Sequence, residues 1–128
     1  MNIKTTFLII ALVAVIAACK KEGKGPTTLA GKWKLDANLI SIGGPPYWVK
    51  ENSQPALYVQ FNNNGSVNSN IFQEYPSYQI KDSVTVTLLS PSNSIHFRYR
   101  LRKDSLYLSP ADVLCIEGCA MRFLRVGD

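Results

Sequence analysis

Three cysteines and a single histidine are the residues whose chemistry could be specific here. Cys115-Ile116-Glu117-Gly118-Cys119 sets two thiols close together in sequence. An extended strand would hold their Cα atoms about 13 Å apart, whereas a disulfide needs roughly 5.5 Å. A bonded pair therefore requires a turn, which Gly118 makes easy. The competing reading is a metal held by Cys115, Cys119 and His96. That set lacks a fourth ligand and has the wrong spacing for a zinc module. The disulfide is the expectation, with no metal. His96 has no nucleophile motif near it. The acidic residues are scattered over turns without paired-carboxylate spacing, and no Gly-rich segment could cradle a phosphate. The sequence is expected to encode no enzyme and to require no cofactor.

His96 alternates with Ile95, Phe97, Tyr99 and Leu101, so it shares a face with Arg98, Arg100 and Arg102. With the apolar set inward, the basic set forms an outer stripe. Such a stripe is either a solvated strand face or a patch for phosphate, a sugar acid or a protein partner. If it faced a polar cavity it could hold a carboxylate, but burying three unpaired arginines is costly.

The third cysteine closes the leader. Lys4 begins a short polar start, and Phe7 to Ala18 is uninterruptedly apolar. That run is shorter than the about 20 residues a membrane-spanning helix needs, which favours a removable signal segment over residues 1–18. It ends Ile16-Ala17-Ala18-Cys19, which resembles the lipobox of bacterial lipoproteins; an ordinary signal peptide is the alternative. The resemblance implies diacylglycerol on the Cys19 thiol and three acyl chains in all, enough for a stable anchor in the membrane. The Cys115 and Cys119 thiols would then be an even pair in an oxidising compartment. Residues 19–28, the lipidated cysteine and the Lys20–Thr28 stretch, read as a tether, because Gly, Pro and Thr without apolar periodicity favour mobile backbone. Lys20 follows the cysteine instead of the Asp that resembles an inner-membrane retention signal. The expected location is the cell envelope, anchored to the outer membrane, on either its periplasmic or its surface face.

Residues 29–128 are then one domain of about 100 residues, enough for a single core. The chain is 46% hydrophobic and 18% charged, an ordinary globular balance. Its formal charge of +5 has no blocked basic run, so nucleic acid is not an expected partner. From Gly31 onward apolar residues recur at every second position. Trp33, Leu35, Ala37 and Leu39 mark the first strand; a long connection from Ser41 to Pro55 follows. Ala56 to Asn62 and Ser66 to Ile71 flank Asn64-Gly65, a strong hairpin signal. Ser77–Ile80, Val84–Leu89, Ser94–Arg102, Leu106–Leu108 and Ala120–Val126 complete eight strands joined mostly by tight turns. Such a meander removes its exposed edges by closing into an up-and-down barrel. A two-sheet sandwich is the other architecture.

Gly31-Lys32-Trp33 at the start of the first strand matches the Gly-x-Trp motif of lipocalins. The order Gly-Lys-Trp-x-Leu, Tyr-Val-Gln-Phe-Asn-x-x-Gly, Leu-Tyr-Leu-Ser, Cys-x₃-Cys and a terminal Arg-Phe-x-Arg is similar to that of small lipocalin-like bacterial lipoprotein domains. No Thr-Asp-Tyr motif is present, and the domain is shorter than a full lipocalin. The resemblance implies Trp33 as a plug at the closed end, covered by Arg125 or, failing that, Arg122 through a cation–π contact. It also implies a small, apolar ligand carried in the barrel. Tyr47 and Trp48, on the long connection, and Tyr99 are the candidate ligand contacts, with the Gly43–Ser53 loop closing the mouth. The alternative function is a protein-interaction or inhibitor module, similar to the lipoprotein inhibitors of lysozyme, acting through its outer surface with no cavity. Expected partners are the membrane through the lipid, a small apolar ligand or an envelope protein; the expected state is a monomer.

Overall fold

Gly31–Ile40 (β1) begins the folded body in the computed structural model, which describes residues 28–113 and 119–127. The leader, Cys19 and Cys115 lie outside the described residues. Eight further strands follow β1 among those residues: Tyr47–Lys50 (β2), Tyr58–Phe61 (β3), Val67–Ser69 (β4), Ser77–Ile80 (β5), Thr85–Leu89 (β6), Ser94–Arg102 (β7), Ser105–Pro110 (β8) and Met121–Arg125 (β9). All pairings are antiparallel, in the order β4-β3-β1-β9-β8-β7-β6-β5. The two ends of that order meet through a bridge between Ser66 and Ser77, where Val67 N–H donates to the Pro76 carbonyl at 2.9 Å and Tyr78 N–H to that of Gly65 at 2.9 Å. The result is an all-β, nearly closed antiparallel barrel of eight strands. The remaining strand, β2, lies off this path and pairs with β1 alone.

Alternation explains why these stretches are strands. Along β3, β6, β7 and β8 the inward residues Val59, Phe61, Val86, Leu88, Phe97, Leu106 and Leu108 are buried, while their neighbours face outward. These side chains join Trp33, Leu35 and Phe123 in one core cluster. The Asn62–Gly65 turn joins β3 to β4, with Gly65 at φ +86, which only a residue without Cβ adopts freely.

Trp33 is fully buried at the end of the barrel where β1 begins and β9 finishes. Its indole N–H donates to the Leu29 carbonyl at 2.8 Å. The Arg125 guanidinium carbon lies 4.1 Å from the ring centroid, and its Nη1 and Nη2 donate to the Ala30 and Thr28 carbonyls at 3.1 and 3.0 Å. Arg125 thus stacks on the tryptophan and ties down the chain arriving at β1. Gly31 completes this device. Its φ is +135, and a Cβ there would sit 2.5 Å from Arg125 Nη1.

Two predictions follow from the plug. Gly31→Ala should lower the unfolding free energy by about 1–3 kcal/mol, because it adds strain at positive φ and displaces the guanidinium. Trp33→Ala should cost about 3–5 kcal/mol. Chemical denaturation of each variant checks both values; an unchanged midpoint for Gly31→Ala would contradict the packing described.

Candidate functional site

The alternation of β1 breaks after Leu35. Leu35 pairs with Phe123 of β9, yet Ala37 pairs with Arg122, so Asp36 is the extra residue of a β-bulge. The alternation that put Ala37 and Leu39 inward with Trp33 therefore fails in the structure. Ala37 lies opposite Arg122 and Lys50, and although buried it is not part of the core cluster. Asp36 keeps the outward side it shares with Lys32 and Lys34, and the bulge brings Ala37 to that side as well. The Asp36 carboxylate is 9% exposed and takes Lys50 Nζ on Oδ1 at 2.6 Å. Arg122 Nε and Nη2 donate to Oδ2 at 2.9 and 2.6 Å.

Three strands are locked by that carboxylate, because Lys50 is on β2, Asp36 on β1 and Arg122 on β9. The lock lays β2 beside β1, with Leu39 opposite Trp48. Trp48 then sits on the outer wall, with Arg122 5.1 Å from its ring centroid and Tyr107 of β8 edge-on at 5.9 Å. Arg100 of β7 lies 4.8 Å from the Tyr107 ring. The register Arg100–Tyr107–Arg122–Ala37–Lys50 makes this one transverse row across five strands. Beside it, Arg98 and Arg102 of β7 are exposed, and Lys34 and Lys32 of β1 face out, Lys32 at 4.5 Å from the Tyr58 ring. Against Lys32, Lys34, Lys50, Arg98, Arg100, Arg102 and Arg122, this wall carries the Asp36 carboxylate, already held by two of them, and Glu51 at its edge. Farther round the barrel, on β4, β5 and β6, Asn68, Gln79, Thr85 and Thr87 carry no charge, with Thr85 beside Arg98 and Thr87 beside His96 at the edge of the basic face. Most of the cations that look spread along the chain are gathered on one side of the barrel, apart from Lys81, Lys103 and Arg125.

A cleft of about 390 Å³ opens beside the row, where β2 leaves β1 and β3 takes over. Lys34, Asp36, Lys50, Glu51 and Ser53 line it with Leu57. Glu51 accepts from the Ser53 hydroxyl and amide at 2.5 and 2.9 Å, and these bonds hold its carboxyl below its ordinary pKa.

The Ser41–Pro55 connection does not close the mouth. It contains β2, so Trp48 and Tyr47 lie on the sheet extension, 37% and 49% exposed. The other end of the barrel is instead covered by the β4–β5 connection. Ile71, Phe72 and Tyr75 pack on the core, with Phe72 and Phe97 rings 5.4 Å apart. Asn93, in the β6–β7 turn at that end, donates to the Tyr75 hydroxyl at 3.4 Å. A second cleft of about 460 Å³ is lined by Asn70 to Tyr75 of this loop. Tyr99 is half-buried against the core, opposite Leu108.

His96 lies on the outer face, its Nδ1 2.7 Å from the Thr87 hydroxyl and its Nε2 4.0 Å from Asp112. Among the described residues no group of three His, Cys, Asp or Glu side chains could hold a metal. Cys119 precedes β9, and Cys115 lies outside the described residues, so the geometry of their pairing is not on view. Asp36, Lys50, Tyr107 and Arg122 were not singled out by sequence as one site. The available signal was Tyr47-Trp48-Val49-Lys50, a β-prone run just after Gly43-Gly44-Pro45-Pro46, which fits a hairpin return.

The Lys50 hydrogen bond, followed by the Arg122 contacts, holds the Asp36 carboxyl below its ordinary pKa of 3.8, against the opposing effect of burial. A depressed native pKa contributes stability that is complete above the unfolded value and is lost as pH falls through the native one. The wild-type protein should therefore lose stability as pH drops below about 4, and Asp36→Asn should flatten that slope while lowering stability at pH 7. Thermal melts of both proteins between pH 7 and pH 2 check this. Parallel pH profiles would contradict it.

No model of a known protein family matches the chain, and no curated protein matches it significantly. The nearly closed antiparallel barrel is compatible with a lipocalin-like fold.

Proposed function

We propose that this is a lipid-anchored envelope protein, a barrel without catalytic chemistry, that works through its basic outer wall as an interaction module. The observation that carries the reading is the contrast between inside and outside. Trp33, Phe61, Phe97 and Phe123 are 0–3% exposed and fill the barrel together with the aliphatic core. Outside, Arg100, Tyr107, Arg122 and Trp48 form an organised row of the residue types that dominate interface energetics. The partner is anionic, since cations outnumber carboxylates on the wall: Asp36 is already paired with Lys50 and Arg122, and Glu51 sits at its edge in the cleft. Anchoring through Cys19 in the outer membrane and a Cys115–Cys119 disulfide belong to the same proposal, supported by the Ile16-Ala17-Ala18-Cys19 sequence and the even thiol pair.

The carrier is the second reading, favoured by the cleft along Asn70–Tyr75 at the end covered by Phe72. Displacement of that loop would open a path toward Phe97. Native mass spectrometry of the protein from its own host separates the two. A retained small molecule supports the carrier, and a bare chain supports the wall.

The wall itself is tested by two variants that change charge equally. On a polyglutamate matrix, Arg98→Glu should weaken retention about fivefold or more, and Lys81→Glu, in the β5–β6 turn, less than twofold. Equal losses would mean that only net charge matters, and the wall would have no special role.

A further inference from the structure

We infer that the anionic partner of the wall is a lipid bilayer surface, onto which the barrel lies with the Trp48–Tyr107 row facing the headgroups. This rests on the outer-wall reading above and names its partner.

The wall is an extended sheet surface. Its cations come from β7, β9, β1 and β2 instead of converging on one pocket. A dispersed set of this kind suits a plane of anionic headgroups, which attracts every cation within a Debye length. Trp48 and Tyr107 are the aromatic types that settle at membrane interfaces, with an apolar ring and a polar edge. Leu124 and Val126, 41% and 38% exposed, add aliphatic surface on β9 and just beyond it. The β5–β6 side also exposes aliphatic groups, Ile80 at 48% and Val84 at 55%, but it lacks the clustered cations and the Trp48–Tyr107 pair, and it is this combination that singles out the wall.

The geometry of the chain's arrival agrees. Thr28 is held by Arg125 at the end of the wall where Lys32 also lies. From Cys19 to that point the tether spans at most roughly 30 Å when fully extended, and it contains Lys20, Lys21 and Lys24. A chain anchored at Cys19 would keep the wall within reach of the same membrane, at a high effective concentration. Weak individual attractions are then sufficient for a persistent orientation.

The chain has two tryptophans, and Trp33 is fully buried. Quenching by acrylamide therefore reports Trp48. The test uses the full chain reconstituted on vesicles of phosphatidylcholine alone and of phosphatidylcholine with phosphatidylglycerol. The leader and any acyl group associate with both, and Lys4, Lys20, Lys21 and Lys24 are the same in every variant, so the effect of the wall substitutions on the difference between the two reports the wall. We expect quenching to fall at least threefold on the anionic vesicles, to recover in about 0.5 M salt, and to recover equally in Arg98→Glu/Arg100→Glu. Lys81→Glu should behave as wild type. Equal quenching on both vesicles overturns the bilayer inference. If polyglutamate in solution then shields Trp48 in a salt-sensitive way, the wall reading survives with an acidic protein as its partner. If polyglutamate also has no effect, both fall.

Discussion

A carboxylate withdrawn from water on the outside of a barrel is the constraint on which the wall depends. Asp36 can remain 9% exposed only because Lys50 and Arg122 approach it from the two flanking strands. A buried charge without partners would be strongly destabilising, so the bulge, the return of β2 and the orientation of Arg122 are mutually required. Once Arg122 is fixed, Trp48 has a cation to lie against, and Tyr107 and Arg100 extend the row. The interaction is local, but it decides which face the β1–β2 hairpin presents.

The barrel interior is organised by a separate device at the end where the chain arrives. Arg125 spends its donors on the Ala30 and Thr28 carbonyls and its face on the Trp33 ring. Its buried Nε has no acceptor among the described residues, a cost set against the stacking and the two carbonyl bonds. Gly31 leaves the space that this guanidinium occupies. The two arginines of the last strand therefore face opposite ways. Arg125 serves the inside, and Arg122 serves the outside. Alternation along β9 puts Arg122 and Arg125, an odd number of residues apart, on opposite faces, and the burial of Phe123 tells which of them is inward.

The fold class was legible because its signal is periodic. Val59 and Phe61, Val86 and Leu88, and Leu106 and Leu108 alternate with polar neighbours in short runs between turn residues. Closure into a barrel follows from eight such runs with edges to hide. The missed strand β2 was hidden by its position. Tyr47 to Lys50 is exposed on every residue, so it carries no two-fold contrast between faces. The bulge was hidden for another reason. Asp36 occupies a polar position in an otherwise regular alternation, and the register shift exists only relative to β9, far away in sequence. The basic wall was half visible. Arg98, Arg100 and Arg102 share a face within one strand, whereas their meeting with Arg122, Lys34 and Lys50 depends on strand order.

The packed interior and the charged exterior together make one claim, that this barrel acts with its side and not with its mouth. Hydrogen exchange read by mass spectrometry, comparing the protein free in solution with the protein on isolated envelope membranes, tests it directly. The account predicts slowed exchange in peptides spanning β7, β8, β9 and the β1–β2 hairpin, with the Asn70–Tyr75 loop unchanged. Protection confined to the Asn70–Tyr75 loop and the β6–β7 turn would contradict it and return the function to the end of the barrel.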